Sequence, residues 1–371
     1  MPLPANYRLN KRISALAMRL MKLGRGRSPD EQVDLRREPI RKILLVRGNF
    51  RMGDSVLAAP AIHLFRKNFP DATIDFVGSP MSRALFENLP IDRHFEITRR
   101  FPDAMWSYFA LIRRLRAFHY DLAVEVSGSQ SAMGAFLVGF SGARFRAGLR
   151  GKRDRWLNIR LARPAERNKY RSLSALVAAL GLESEEVFPK LLLSDAEKAE
   201  GRRRLAAAGL PESAVLGIFT GGRVSRLKRW PPENFAALAA ALKSRGAKVA
   251  LFVGPEETDL IPFFQKAVGA DVPVLFEPSI RGFAAMVAGC ALFITCDSGP
   301  MHLACAVGTR TIAIFQKADH RHWGPPEAVC RIVYEPGGVA VEQVVEAAMD
   351  EWQRDVPSGA RENPHSLDPA R

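Results

Sequence analysis

Leu292-Phe-Ile-Thr-Cys-Asp-Ser-Gly-Pro-Met-His-Leu-Ala-Cys-Ala306 carries a short apolar strand, 292–295, straight into a polar turn and a helix through Ala306. Pro300 suits the first helical turn, where its missing N–H has no partner to lose. Asp297 or Ser298 can cap that turn. The backbone N–H groups of 299–302 then offer an anion site at the strand's carboxyl end, and His302 can donate to the same anion. Strand followed by helix recurs in both directions from here. Toward the N-terminus, strands are expected at 43–46, 73–77, 122–126 and 145–147, with helices at 55–68, 82–88, 105–118 and 131–140. Around the quoted stretch, strands are expected at 214–219, 248–253 and 311–315, with helices at 196–208, 233–244, 258–268 and 281–288. Such alternation implies parallel sheets covered by helices on both faces. The expected architecture is α/β, with two Rossmann-like, doubly wound domains at 40–185 and 186–335, joined around 182–190. In such sheets ligands bind beyond the carboxyl ends of the strands, at the switch point of strand order. Two domains facing each other place both edges on a central cleft. A last helix within 336–354 is expected to pack back across the junction, followed by a polar, disordered tail at 355–371.

The 371 residues suit two domains of about 150 each. With 47% hydrophobic and 25% charged residues, a fibrous or wholly disordered chain is excluded. Apolar runs such as 216–219 and 292–294 fall far short of the roughly 20 residues that span a bilayer. Arg12 and Arg19 interrupt any secretory apolar stretch near the start, so a cytoplasmic location is expected. Cys290, Cys296, Cys305 and Cys330 form no C-x-x-C pair and have apolar or small neighbours, which reads as reduced core thiols rather than a zinc site.

The net charge of +15 favours anionic partners. Residues 1–28 carry seven basic residues and no acid, and 8–23 show apolar residues at helical spacing. That segment reads either as an interfacial helix on an anionic membrane surface or as a helix packed on the protein. Residues 24–39 read as a linker. A second basic block, 144–171, holds eleven basic residues against Asp154 and Glu166. No helix-turn-helix, RNP or zinc-finger pattern accompanies the charge, and stacking aromatics are sparse, so nucleic acid is an unlikely partner.

Three more loops follow expected strands. Arg47-Gly-Asn-Phe-Arg-Met-Gly-Asp54 ends in a carboxylate at a helix start, where it serves as an N-cap or as a reactive group. Thr220-Gly-Gly-Arg-Val-Ser-Arg-Leu-Lys-Arg-Trp-Pro-Pro-Glu233 puts Gly221, Gly222, Lys228 and Arg229 where a loop can wrap phosphate oxygens. Gly254-Pro-Glu-Glu257 offers a carboxylate that can accept hydrogen bonds from ribose hydroxyls. There is no G-x-G-x-x-G, P-loop, G-x-S-x-G or D-x-D motif, so dinucleotide, P-loop, serine-hydrolase and aspartate-metal readings fall away.

Taken in order, Gly53-Asp54, Lys228-Arg-Trp-Pro231 and Asp297-Ser-Gly-Pro-Met-His302 resemble glycosyltransferase family nine, the heptosyltransferases of lipopolysaccharide core assembly, over about residues 41–325. The resemblance implies a GT-B fold and inverting, metal-independent transfer of a heptose from ADP-heptose to an anionic glycolipid. The nucleotide sugar is then a substrate, and no cofactor is needed. It also implies roles for individual residues. Asp54 matches the general base and Lys228 the group stabilising the leaving diphosphate. Glu256 is the expected ribose contact. Asp297, Ser298, Gly299, Met301 and His302 match the diphosphate and sugar loop, with Thr220, Gly221 and Gly222 lining the same pocket. The basic block falls on the acceptor side, and the leader helix suits peripheral contact with the inner membrane's cytoplasmic face.

The chain departs from the family in two places. The first loop is one residue longer before Asp54. After Phe315, Gln316-Lys-Ala-Asp-His320 stands where the family commonly has Gly-Pro-Thr-Asp-Pro. The second departure keeps open a transferase or epimerase using a UDP-type sugar. A non-catalytic nucleotide-binding relative is the remaining alternative. Oligomeric state is not legible in the sequence.

Overall fold

The computed structural model describes residues 28–98, 103–128, 131–152, 154–211, 214–222 and 228–355. The expected leader helix and nearly all of the expected tail lie outside the described residues. The chain divides into two compact units. One comprises residues up to Leu193 with Arg321–Pro325, and the other Ser194–His320 with the residues from Pro326 onward.

The first unit is built on strands Lys42–Val46 (β1), Thr73–Gly78 (β2), Arg93–Glu96 (β3), Leu122–Glu125 (β4), Phe145–Leu149 (β5) and Ile159–Leu161 (β6). They lie in the order β3-β2-β1-β4-β5-β6, every neighbour parallel. The second unit uses Val215–Phe219 (β7), Lys248–Val253 (β8), Val274–Phe276 (β9), Leu292–Cys296 (β10), Arg310–Phe315 (β11) and Cys330–Tyr334 (β12). Their order, β12-β11-β10-β7-β8-β9, is also wholly parallel. Counted within its own unit, each sheet runs 3-2-1-4-5-6, the doubly wound Rossmann order with a switch point between its first and fourth strands. The central strands are apolar on both faces because helices cover both; β1, β7 and β10 have almost no exposed side chains.

Two expected helices are broken in two, each beside a proline. Residues 52–68 form Met52–Val56 and then Ala59–Asn68, with Pro60 in the first turn of the second helix. Thr258–Leu260 is a 3₁₀ turn before Ile261–Val268, where Pro262 again opens the helix. Proline lacks the N–H that would join the two pieces. The helix Ser172–Ala179 was not expected from the sequence. The last helix, Val341–Asp355, packs on Pro232–Ser244 and on β10, β11 and β12 of its own unit.

Residues 28–38, expected as a linker, are tied to the basic block. Ser28 N–H donates to the Arg155 carbonyl at 2.8 Å and Glu31 N–H to that of Asn158 at 2.6 Å, while Leu35 is buried. Asp30 pairs with Arg150 (3.0 Å) and Arg160 (3.5 Å), Glu38 with Arg144 (2.9 Å), and Glu186 with Arg171 (2.9 Å). Arg144, Arg150, Arg160 and Arg171 of the block at 144–171 are therefore ion-paired within the unit.

All four cysteines are free and buried. Burial pushes the thiols of Cys290 and Cys296 up to about 12, so they stay protonated as core side chains. No described helix is long and apolar enough to cross a membrane.

Candidate active site

At the switch point of the first sheet, β1 and β4 end side by side. Arg47 follows β1 directly, and its guanidinium reaches the Asp54 carboxylate, Nη2 to Oδ1 at 2.8 Å. The Asn49 side-chain amide donates to the other oxygen, Oδ2, at 2.7 Å. Asp54 sits in the short helix Met52–Val56 and is only 9% exposed, with no capping bond made by its side chain. Its carboxylate is therefore fixed by two donors, and each oxygen keeps a second lone pair for a hydroxyl proton. Beneath it, Glu125 at the end of β4 accepts from Ser127 Oγ and from the Ser131 N–H (3.0 Å). Burial pulls the Arg47 guanidinium below its usual value, with Asp54 and Glu125 opposing that shift. Lys169, whose ammonium donates to the Gly128 carbonyl at 3.3 Å, is also lowered, first by burial and then by Arg47.

In the second sheet the switch point lies between β7 and β10. Trp230 is buried, its indole N–H donates to the Val339 carbonyl at 3.0 Å, and its ring meets Phe235 edge-on. That anchor fixes the segment carrying Lys228, which is ion-paired with Asp297 and, at 2.9 Å, with Asp319. Asp297 precedes the helix Gly299–Ala306. Ser298 holds the cap position in an extended conformation, yet its side chain makes no capping bond; its hydroxyl lies 3.2 Å from that of Thr295. Ser298 is therefore not the side-chain cap the sequence suggested. The N–H groups of Gly299 and Met301 lie in the first helical turn, which supplies them no intrahelical acceptor and makes the turn suited to an anion.

The expected residues do not all stand alike. Gly221, Gly222, Lys228, Asp297, Ser298, Gly299 and His302 sit in the loops and first helical turn at the carboxyl edge of β7 and β10. Thr220 is fully buried, its hydroxyl donating to the Phe252 carbonyl at 3.2 Å, so it fastens β7 to β8. Met301 is likewise fully buried, leaving only its backbone for a ligand. Glu256 is exposed, whereas Glu257 is 3% exposed and hydrogen-bonded by the backbone of Gly222 and Gly254. Burial raises Glu257, and Arg229 opposes the shift. A Cβ on Gly221 would come within 2.7 Å of Glu257 Oε2, which explains glycine there. Arg47, Asn49, Glu125, Lys169, Glu257 and Asp319 were not singled out beforehand. Arg47 and Asn49 lay inside the quoted first loop, and Asp319 inside the divergent 316–320 segment. Among the described residues, no group of three or more His, Cys, Asp or Glu converges as a metal site.

Two parallel sheets of the same doubly wound order, with polar groups gathered at each switch point, match the GT-B architecture. The solved structure of a glycosyltransferase family 9 protein from Veillonella parvula superposes with a TM-score of 0.76 at 20% identity, covering 85% of this chain and 97% of that one. The Escherichia coli ADP-heptose LPS heptosyltransferase II structure gives 0.71 at 22% identity, covering 84% and 99%. In sequence, lipopolysaccharide heptosyltransferase 3 of Escherichia coli strain K12 is 30% identical over 293 residues, 74% of this chain and 82% of that protein. The profile of glycosyltransferase family 9 (heptosyltransferase) matches residues 108–352. The chain belongs to glycosyltransferase family 9, and it is a glycosyltransferase.

Proposed function

We propose that this protein transfers a heptose from ADP-heptose to a hydroxyl of a lipopolysaccharide core acceptor, with inversion at the anomeric carbon and without a metal ion. The observation that carries the reading is the buried Asp54 carboxylate, held by Arg47 and Asn49 with a lone pair left on each oxygen. The names of the heptosyltransferases it is similar to supply the donor and acceptor. In the step proposed, the acceptor oxygen forms a bond to the anomeric carbon as the bond from that carbon to the ADP β-phosphate oxygen breaks. The hydroxyl proton passes to Asp54, and ADP leaves with the bonding pair. Attack opposite the leaving group inverts the configuration. Lys228 and the first-turn N–H groups of Gly299–Ala306 face the charge that grows on the diphosphate. Asp297 and Asp319 hold the ammonium in place beforehand. In the turn after β8 the exposed Glu256 and the buried Glu257 are the two carboxylates available to the ribose. Lys169, beside Asp54, is a candidate contact for an acceptor phosphate or carboxylate, since Arg144, Arg150, Arg160 and Arg171 of the same block are already ion-paired.

Calorimetric titration with ADP, UDP, GDP and CMP in EDTA tests the donor. Preference for ADP is expected, and it should persist in EDTA. Preference for UDP would replace the heptose with a UDP-type sugar and revive that alternative.

A further inference from the structure

The structure assigns the segment after β11, through Gln316, Asp319 and His320, to the hydroxyl groups of the transferred sugar; this rests on the nucleotide-sugar reading above. Three of its five residues carry a buried side-chain atom with no hydrogen-bond partner among the described residues: Gln316 Nε2, Asp319 Oδ1 and His320 Nδ1. Nearly all buried polar atoms in folded proteins are paired, so three orphans within five residues mark a place a ligand completes.

Their chemistry narrows that ligand. A diphosphate offers only acceptors and would be repelled by the Asp319 carboxylate, whose other oxygen is already paired with Lys228. Sugar hydroxyls both donate and accept. One can donate to Asp319 Oδ1 while another accepts from Gln316 Nε2. The His320 ring packs against Tyr334 (4.8 Å between centroids) and Phe315 (6.0 Å), two neighbours across adjacent strands, which restrain it.

Topology separates this place from the nucleoside. In the second sheet β11 and β8 flank the central pair β10 and β7 on opposite sides. The N-terminus of the helix Gly299–Ala306 follows β10, and Glu257 follows β8. Along the carboxyl edge a ribose near Glu257 and a sugar near Gln316 fall on either side of the diphosphate. Asp297 N–H donates to the Ile314 carbonyl at 3.1 Å, which ties the start of the anion loop to the strand that ends just before Gln316.

The test compares ADP with ADP-heptose by calorimetry, on the wild-type protein and on Gln316→Ala, with melting curves to establish folding. The expected result is about tenfold weaker ADP-heptose binding with ADP affinity unchanged, the size of one lost hydrogen bond. Gln316→Glu, which keeps the shape and replaces the donor, should lose as much. Equal weakening of ADP and ADP-heptose would overturn the assignment by moving Gln316 to the nucleotide, and so would no change in either. Wild-type protein that binds ADP no better with the sugar attached also overturns it. Wild-type protein that binds neither ligand defeats the donor reading itself, a distinct result.

Discussion

Replacing Asp54 by asparagine separates its two jobs, base and counter-ion. Both carboxylate oxygens accept from donors, Arg47 at 2.8 Å and Asn49 at 2.7 Å. An amide must therefore turn its NH₂ toward one of them, and the Arg47 charge loses its nearest partner. The pair is well buried, with side chains 7% and 10% exposed. Breaking such a pair costs about 3–5 kcal/mol, and the Glu125 charge nearby moves the expectation to the lower end. For a unit of this size that is a fall of roughly 6–12 °C in Tm. Loss of a positioned base lowers turnover by about 10²–10⁴-fold. The double variant Arg47→Met/Asp54→Asn removes both charges and should recover much of the lost stability, since a neutral buried pair is often no worse than an ionic one. Its transfer rate should stay low. Differential scanning fluorimetry and initial-rate assays on the folded proteins read the two effects apart. Near-wild-type transfer by Asp54→Asn, or transfer regained in the double variant, would refute the base and leave Asp54 as a counter-ion for Arg47.

Other perturbations follow from the same geometry. Lys228→Ala should weaken ADP binding and lower turnover by about 10²–10³-fold, the usual cost of losing one donor to a developing anion, read by calorimetry and initial rates. Gly201→Ala should destabilise the second unit by about 1–3 kcal/mol in chemical denaturation, because its Cβ would fall 2.3 Å from the Ala285 carbonyl oxygen where the helices Asp195–Ala207 and Ile280–Ala288 pack; an unchanged midpoint would contradict that packing. The Arg281 guanidinium on Glu197 holds that carboxyl down at about 2, against 4.5 unperturbed. A depressed folded value means this contribution is complete above about 4.5 and is lost as pH falls toward about 2. Arg281→Met should therefore flatten the stability profile in that window, and an unaltered slope would count against the pairing.

The central strands of both sheets were legible because they are apolar on both faces and several residues long. The four strands missed, β3, β6, β9 and β12, are the four sheet edges. Three of them have only three or four residues, and β3, β9 and β12 are partly exposed, so their sequences lack both the apolar run and the clear alternation. The loops with chemistry were found by position, since each follows a central strand. The partners within them were not. Lys228 meets Asp297 across 69 residues and Asp319 across the returning strand, and no local pattern encodes such pairings. Glu256 and Glu257 are indistinguishable by composition; the turn after β8 buries the second and exposes the first. Likewise the charged run 28–38 read as a linker because the arginines it neutralises lie more than a hundred residues away.

The most direct measurement is a transfer assay with purified protein, ADP-heptose and a core glycolipid acceptor in EDTA, following ADP release and acceptor mass together and the new linkage by NMR. The account predicts one heptosyl unit gained per ADP released, with the anomeric configuration inverted. Retained configuration, ADP released without a gain in acceptor mass, or transfer only from a UDP-sugar would contradict it.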